Sequence, residues 1–219
     1  IMESMKKVSI QLKPCLGENM LTFTDEQQVQ NLYFEAWAKS YEEVFKKKPT
    51  PSSIWPTRAE RKTTWDSRFG SGNTTYYVNI RQGDEGSKPV GSQNVTDYGS
   101  FYTGGGGRSM AGVDLFTKKR LPSRKIGGIR IDKGWSEMIH EVIGKYTDKP
   151  FLMSLKNSNL IPIFKGMGFS NYNPTKANLS KEIKNKLENW PHTLLYRDGG
   201  EMKKSFNYIW SKYIVKCDL

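Results

Sequence analysis

One stretch of the chain constrains its fold more than any other, because an apolar run is followed at once by start and stop signals for a short helix. The run Phe151–Leu155 predicts a buried strand, and the next residues read Lys-Asn-Ser-Asn-Leu-Ile-Pro-Ile-Phe-Lys-Gly-Met-Gly-Phe. Asn157 or Asn159 can cap the first free backbone N–H groups of a helix. Pro162 is tolerated only in a first turn, and Gly168 can adopt the left-handed conformation that closes a helix. The order strand, Asn, short helix, Gly-Phe is therefore expected here.

This segment resembles the last signature segment of the Gcn5-related N-acetyltransferases, which runs strand, Asn, an apolar residue, an aromatic residue and Gly-Phe. The matching positions are Asn157, Leu160, Ile161, Phe164, Gly168 and Phe169. The resemblance implies an N-acetyltransferase that uses acetyl-CoA, with an α/β (α+β) fold in which a mixed, mostly antiparallel sheet is flanked by helices. It also implies that Asn157 and Phe164 lie at the cofactor site.

A basic, glycine-containing segment lies upstream of Asn157, at the distance where the family carries its cofactor loop. Asp114–Thr117 belongs to a strand-like pattern, and Lys118–Ile129 is predicted to be a loop that opens a helix. Backbone N–H groups at such a helix start suit a pyrophosphate. By the resemblance, the strand pairs with the pantetheine arm and the loop amides hold the pyrophosphate. The cofactor-binding residues assigned in this way are Leu115, Phe116, Thr117, Arg124, Lys125, Ile126, Gly127, Gly128 and Ile129.

The loop departs from the family pattern Arg/Gln-x-x-Gly-x-Gly/Ala. Arg124 and Gly127 match it, but Ile129 stands at the last position and the second glycine is displaced to Gly128. An ordinary strand-to-helix turn would show the same residues, and so would a relative that has lost the reaction. The following helix is predicted from apolar residues at helical spacing between Ile129 and Tyr146.

Transfer of an acyl group to an amine needs a base for the amine and a proton donor for the leaving thiolate. In many relatives the donor is a tyrosine, but Phe164 stands at that position here. Ser158, Tyr172 or a water molecule are the candidates to replace it, and the alternative is that the thiolate leaves unassisted. Asp114 is the preferred base because it interrupts an apolar strand, and a structural ion pair is the alternative for this residue. Further candidates for the base are Asp97, Tyr98, Tyr102 and Glu137.

Local patterns predict the remaining elements. Thr74–Gln82 and Lys88–Tyr102 are predicted to be strands joined by a turn, and Gly104–Gly107 a flexible connection without regular structure. A first strand is expected at Met5–Pro14, and an amphipathic helix follows from Val29 to Phe45. After residue 169 we expect a basic helix within 179–190, a strand at 192–197 and a terminal element at 206–215.

The chain has 219 residues, a length at which one domain is the default. We therefore expect a single acyltransferase-like domain over 1–219, with the core signature at 109–169 and a C-terminal extension at 170–219. The extension could shape the acceptor pocket, add a layer to the fold or form the contact of a homodimer.

The formal net charge of +12 at pH 7 predicts attraction to polyanions. The acyl acceptor is not encoded in any motif, and the charge favours nucleic acid or an acidic molecule over a polycation. A basic nucleic-acid-binding protein, or a nucleobase-modifying acyltransferase on a degenerate scaffold, is the second function left open. A solvated, lysine-rich surface explains the same charge without any such partner.

Two classes of protein are disfavoured by the sequence. No apolar run reaches the roughly 18 to 20 residues of a membrane helix, and no signal peptide is visible, so a cytoplasmic protein without membrane contact is expected. Cys15 and Cys217 lie near opposite ends of the chain and outside any CxxC pattern, so no metal site is expected.

Overall fold

The computed structural model of the protein describes residues 18–23, 27–29, 31, 42, 46–48, 64–83, 86–108, 123–126, 129–132, 142–155 and 158–199. The predicted strands Met5–Pro14 and Asp114–Thr117 and the terminal element at 206–215 lie outside these residues. Of the predicted Val29–Phe45 helix, only Val29, residue 31 and residue 42 are described, and all three are helical. No helix within the described ranges is long and apolar enough to cross a membrane.

Within the described ranges, nine strands form two sheets. The strands are β1 (Glu18–Phe23), β2 (Asn73–Gly83), β3 (Gly86–Asp97), β4 (Tyr102–Arg108), β5 (Ser123–Ile126), β6 (Ile129–Asp132), β7 (Phe151–Leu155), β8 (Ser170–Asn171) and β9 (Thr193–Arg197). Seven of them form one sheet in the order β1-β2-β3-β4-β7-β9-β8, and β5 and β6 form a second. Every described pair is antiparallel except β4 with β7. The prediction of a mixed, mostly antiparallel sheet with helices is confirmed.

Helices pack on both faces of the large sheet, and each face has its own hydrophobic cluster. The Phe151 cluster consists of Tyr77, Val95, Tyr102, Val142, Ile143, Phe151, Met153, Leu155, Ile163, Phe164, Met167, Phe169 and Leu195. The Trp65 cluster consists of Trp65, Phe101, Leu152, Ala177, Leu187, Leu194 and Tyr196, with Phe69, Tyr98, Tyr172, Leu179, Ile183 and Trp190 packed against it. The helical segment 142–145 and the helix Ile161–Lys165 therefore cover one face, and the helical segment 64–69 and the helix Lys181–Lys186 cover the other.

Strand β7 contributes to both clusters, because successive side chains of a strand point to opposite faces. Phe151, Met153 and Leu155 belong to the Phe151 cluster, and Leu152 belongs to the Trp65 cluster. All five residues of β7 are buried. This explains why the strand reads as an almost continuous apolar run rather than as an alternating one.

The prediction that Gly104–Gly107 is a flexible connection is wrong, because all four glycines lie within β4 and pair with β3. Neighbouring side chains account for the absence of side chains at two of these positions. A Cβ at Gly104 would lie 3.0 Å from two ring carbons of Phe151, and one at Gly105 would lie 3.1 Å from Oδ1 of Asn94. The glycines thus allow side chains from adjacent strands to lie across β4.

The prediction that the basic glycine segment is a loop opening a helix is also wrong. Ser123–Ile126 and Ile129–Asp132 form an antiparallel hairpin in which Ile126 pairs with Ile129. That register leaves a two-residue connection, for which Gly-Gly is a favoured sequence. Ile alternates with polar residues over 129–132, which is a strand pattern. In this segment the strand pattern determines the structure, although Ile129 and Ile131 also fit the helical spacing.

The segment after β7 agrees with its prediction at the end and differs at the start. Gly168 has a φ of +83°, and the N–H groups of Gly168 and Phe169 donate to the carbonyls of Lys165 and Phe164, which is the glycine closure of a helix that the sequence predicts. The helix Ile161–Lys165 begins one 3-10 turn later than expected, with Leu160 at the N-cap and no side-chain cap. Asn159 therefore does not cap this α-helix, because it lies within the preceding turn Ser158–Leu160, and Asn157 lies outside the described residues.

Several other predictions are confirmed. Strands β2 and β3 form the expected hairpin, although Tyr102 belongs to β4 rather than to β3. The basic helix is Lys181–Lys186, whose N-cap Ser180 accepts a hydrogen bond from the Ile183 N–H. The strand expected at 192–197 is β9.

Arg197 connects three elements from within the core. Its side chain is 2% exposed and its guanidinium lies 5.3 Å and 5.0 Å from the ring centroids of Phe151 and Phe169. It donates hydrogen bonds to the carbonyls of Ile143 and Tyr146. Burial lowers the pKa of Arg197 to about 10. Ring faces and carbonyl oxygens thus surround the buried cation.

The close contact at Gly104 predicts a stability effect with a clear sign. Gly104→Ala should lower the free energy of unfolding by about 1 to 3 kcal/mol, because the new Cβ overpacks against the Phe151 ring. Gly144→Ala is the control: Gly144 is helical and a Cβ there meets nothing within 4 Å, so stability should rise by roughly 0.5 to 1 kcal/mol. Urea unfolding followed by circular dichroism measures both. Equal stability of Gly104→Ala and the wild type would contradict the packing argument.

Candidate functional site

The two parallel strands of the large sheet pair over only part of their length. The register joins Tyr102 to Phe151, Thr103 to Leu152 and Gly104 to Met153, and it stops there. Strand β4 continues to Arg108 and β7 continues to Leu155. At the carboxyl ends of β4 and β7 there is consequently a break in the ladder between two central strands. We call this break the β4–β7 cleft.

The backbone groups that face the cleft follow from the alternation along β4. The Tyr102 N–H donates to the Pro150 carbonyl at 2.9 Å, so Tyr102 directs its backbone groups toward β7. Every second residue does the same, which places the Gly106 N–H on the cleft side. A continued ladder would join this N–H to the Ser154 carbonyl, but the described register ends before that bond. Among the described residues neither group has a ladder partner, so a donor and an acceptor of the main chain can serve an extended ligand.

Ser154 is the polar residue of β7 and lies at the edge of the cleft. Its side chain is buried, at 3% exposure, and its Oγ accepts a hydrogen bond of 2.9 Å from Nε1 of Trp190. Trp190 in turn packs against Trp65 in a tilted arrangement with 4.0 Å between ring centroids, and the Arg68 guanidinium lies 4.8 Å from the Trp190 ring centroid. Because indole N–H is only a donor, the Ser154 hydroxyl keeps its own proton for another acceptor.

Two of the predicted site residues lie near the carboxyl end of β7. Ser158 is exposed and begins the 3-10 turn that follows the strand, so it is at the same end of the sheet as the cleft. Phe164 is 3% exposed and packs edge-on against Phe169, with 6.1 Å between centroids. Phe164 therefore belongs to the core of the Phe151 face.

Tyr172 lies on the Trp65 face and directly follows β8, which is two strands away from β7. Its N–H donates to the Leu194 carbonyl, and Leu194 pairs with Ser154. Two strand spacings place the Tyr172 backbone about 10 Å from β7. The Tyr172 hydroxyl is buried and has no hydrogen-bond partner among the described residues. Burial, followed by the nearby Glu188 charge, raises its pKa, so the hydroxyl keeps its proton.

The other candidate bases of the described chain are engaged at the opposite end of β4. Asp97 forms an ion pair with Lys149 at 3.0 Å, and Tyr102 donates to Asp148 at 2.8 Å. Burial and the hydrogen bond to Asp66 raise the pKa of Tyr98. From Tyr102 to Gly106 the strand rises about 13 Å. These groups therefore stabilise the fold and lie away from the cleft.

The predicted cofactor loop is described only in part. Arg124, Lys125 and Ile126 lie on β5 and Ile129 begins β6. The remaining assigned residues lie outside the described ranges, and their roles stay predictions. They are Asp114, Leu115, Phe116, Thr117, Gly127, Gly128 and Asn157.

Two cleft residues were not identified from the sequence, namely Gly106 and Ser154. A signal existed for each. Four consecutive glycines inside a strand mark a close approach of another backbone or a ligand, and Ser154 is the polar position in an otherwise apolar run. Locating them required the parallel register of β4 and β7, because nothing in the local sequence specifies that pairing.

Comparison with protein-family models finds no match, and comparison with curated proteins finds none either. Solved structures that resemble the chain include a GNAT-family acetyltransferase from Staphylococcus aureus, with 8% identity, 82% of this chain and 98% of that chain covered, and a TM-score of 0.39. The N-acetyltransferase PseH of Campylobacter jejuni shows 12% identity, covers 84% and 99%, and has a TM-score of 0.36. N-acetylglutamate synthase of Neisseria gonorrhoeae, solved with coenzyme A and N-acetyl-glutamate, shows 10% identity, covers 83% and 35%, and has a TM-score of 0.37.

The contact between Trp190 and Ser154 predicts a measurable coupling. In a double-mutant cycle, Ser154→Ala and Trp190→Phe should couple by about 0.5 to 1.5 kcal/mol in the free energy of unfolding, because either change alone removes the same hydrogen bond. Urea unfolding of the four proteins measures the coupling. Additive effects would mean that the bond does not hold the serine hydroxyl at the cleft.

Proposed function

We propose that the protein is an acyltransferase that transfers an acetyl group from acetyl-CoA to an amine, and that the reaction takes place in the β4–β7 cleft. The observation that carries this proposal is the unfinished parallel ladder, in which the Gly106 N–H and the Ser154 carbonyl face an opening between two strands. The resemblance of residues 151–169 to the last signature segment of the Gcn5-related N-acetyltransferases supports the same reaction.

The cleft residues fit the pantetheine arm of coenzyme A. An extended ligand with amide groups binds a free strand edge by main-chain hydrogen bonds, as an added strand does. The glycines of β4 leave the space beside that edge free of their own side chains. Gly106 N–H would donate to a carbonyl of the arm, and the Ser154 carbonyl would accept from one of its N–H groups. The asymmetry of donor and acceptor gives the ligand one direction in the cleft.

Acetyl-CoA would supply the acyl group as a thioester. The Ser154 hydroxyl would donate its proton in a hydrogen bond to the negative charge that develops during transfer, since Trp190 already occupies one lone pair of Oγ. Phe164 has no proton to give and lies in the core. Ser154 therefore takes the place of the tyrosine that many members of the family carry, and Ser158 and Tyr172 remain proposals for the same role.

The charged groups suggest how the remaining parts would be used. Arg124 and Lys125 on β5 would provide cations for the phosphates of coenzyme A. Asp114 remains the proposed base. We propose an acidic molecule or nucleic acid as the carrier of the acceptor amine, because a net charge of +12 repels polycations.

Binding of coenzyme A can be tested at the single N–H that faces the cleft. Gly106→Pro removes this N–H and should weaken coenzyme A binding about tenfold, as expected for one lost hydrogen bond to a ligand. Gly106→Ala adds a Cβ and keeps the N–H, so its dissociation constant should stay close to that of the wild type. Isothermal titration calorimetry measures all three proteins.

Folding provides the control for this experiment. Proline is tolerated where a strand N–H has no ladder partner, so Gly106→Pro should unfold within about 1 kcal/mol of the wild type. Gly105→Pro should be much less stable, because alternation points the Gly105 N–H toward β3. A wild type that does not bind coenzyme A would refute the proposed function. Equal coenzyme A affinity of Gly106→Pro and Gly106→Ala would mean that the Gly106 N–H does not bind coenzyme A.

Loss of the serine hydroxyl should affect turnover more than binding. We expect Ser154→Ala to lower kcat about a hundredfold with little change in KM for acetyl-CoA, because the donor acts on charge that develops during the reaction. Release of the coenzyme A thiol in the presence of a panel of amines measures the rate. Ser154→Thr keeps the hydroxyl and should retain most activity. A lower affinity with unchanged kcat would instead assign Ser154 to binding.

A further inference from the structure

Two buried polar side chains, Asn94 and Ser154, lie in one row across the sheet, on the Trp65 face. Residues opposite each other in a ladder share a face, and the registers connect Tyr76 to Asn94, Asn94 to Gly105, and Ser154 to Leu194. The break of the β4–β7 cleft lies between Gly105 and Ser154. Asn94 and Ser154 therefore lie on the same face of the sheet and on opposite sides of the cleft. Asn94 is on β3, next to β4, and Ser154 is on β7.

Asn94 differs from the other buried polar residues of β3. Its side chain is 6% exposed, and Oδ1 is buried with no hydrogen-bond partner among the described residues. Thr96 is two residues further on the same face, and its Oγ1 lies 2.8 Å from Oγ1 of Thr74. Gln93 donates to the Asn94 carbonyl at 3.3 Å. A buried acceptor without a partner lowers the stability of the fold. A bound ligand that donates to Oδ1 of Asn94 would remove this cost.

The Asn94 oxygen points toward β4. The position of a Cβ on Gly105 is 3.1 Å from Oδ1 and 4.0 Å from Cγ of Asn94, so the oxygen is the nearer atom. Because Gly105 has no side chain, the amide of Asn94 extends over the β4 backbone. Only the backbone of Gly105 then separates Oδ1 of Asn94 from the cleft.

We propose that Asn94 is a ligand-positioning residue whose Oδ1 accepts a hydrogen bond from an amide N–H of the pantetheine arm of the acyl donor in the β4–β7 cleft. The inference rests on the proposed function and adds a side-chain contact from β3 to the backbone contacts of β4 and β7. The described side chains of the row, from Tyr76 and Asn94 to Ser154 and Leu194, carry no formal charge. A neutral amide donor suits this lining better than an ammonium group, whose burial without a carboxylate is costly.

The test compares two substitutions on the same strand and face. Asn94→Leu replaces the amide by an apolar group of similar size, and we expect unchanged or higher thermal stability of the free protein together with coenzyme A binding weakened about five- to tenfold. Thr96→Val is the matched control. It breaks the contact to Thr74, so it should lower thermal stability and leave the affinity for coenzyme A unchanged.

A second ligand separates the pantetheine arm from the phosphates. Adenosine 3′,5′-bisphosphate lacks the arm, so its affinity should be the same for Asn94→Leu and the wild type, measured by the same calorimetry. Asn94→Ala removes the oxygen without filling its space and gives the same readout if the leucine variant does not fold. It should weaken coenzyme A binding and leave bisphosphate binding unchanged.

The outcomes distinguish this inference from the proposed function. If the wild type binds coenzyme A and Asn94→Leu and Asn94→Ala bind it equally well, Asn94 does not touch the ligand and the inference is overturned while the function stands. Equal weakening of both ligands would overturn it as well, because the effect would then not arise at the arm. If the wild type does not bind coenzyme A at all, the proposed function fails first and the inference fails with it.

Discussion

The parallel contact between β4 and β7 is the constraint on which the rest of the structure depends, because it joins the antiparallel strands β1–β4 to the group β7, β9 and β8. Only three residue pairs make this contact. Phe151 strengthens it, since the ring lies where a side chain at Gly104 would be and at the same time fills the Phe151 cluster. The ladder that unites the sheet is also the one whose end opens the cleft, so the fold and the proposed ligand site depend on the same two strands.

The buried Arg197 guanidinium connects the group β7, β9 and β8 to the helical segment 142–145. The Arg197 guanidinium lies beside the rings of Phe151 and Phe169, which contact each other, and it donates to the carbonyls of Ile143 and Tyr146. Burial of a guanidinium is unfavourable, and ring faces and carbonyls offset part of that cost. The contacts connect β9, β7 and the end of the 142–145 segment. The first residues of β7 are thus held by contacts on two sides, one with β4 and one with Arg197. These contacts also help to position the cleft.

Patterns contained in a few neighbouring residues could be predicted from the sequence. The β2–β3 hairpin, the buried strand β7, the capped helix Lys181–Lys186 and the left-handed Gly168 each depend on local signals. The errors arose where a distant residue determines the outcome. Gly104 and Gly105 form a strand because they pair with β3, and the side chains of Phe151 and Asn94 lie close to them; no local pattern contains that information. The 123–132 hairpin is a different case, because the resemblance favoured a cofactor loop over the strand pattern of its residues.

The cleft also gives a physical reason for the C-terminal extension. Trp190 lies beyond the segment that resembles the family signature, yet its indole N–H holds the hydroxyl of Ser154, and its ring is enclosed between Trp65 and Arg68. Arg68 in turn donates to the carbonyls of Lys186 and Glu188, near the end of the Lys181–Lys186 helix. These contacts hold a serine hydroxyl that would otherwise rotate freely. The extension therefore contacts the edge of the cleft at Ser154.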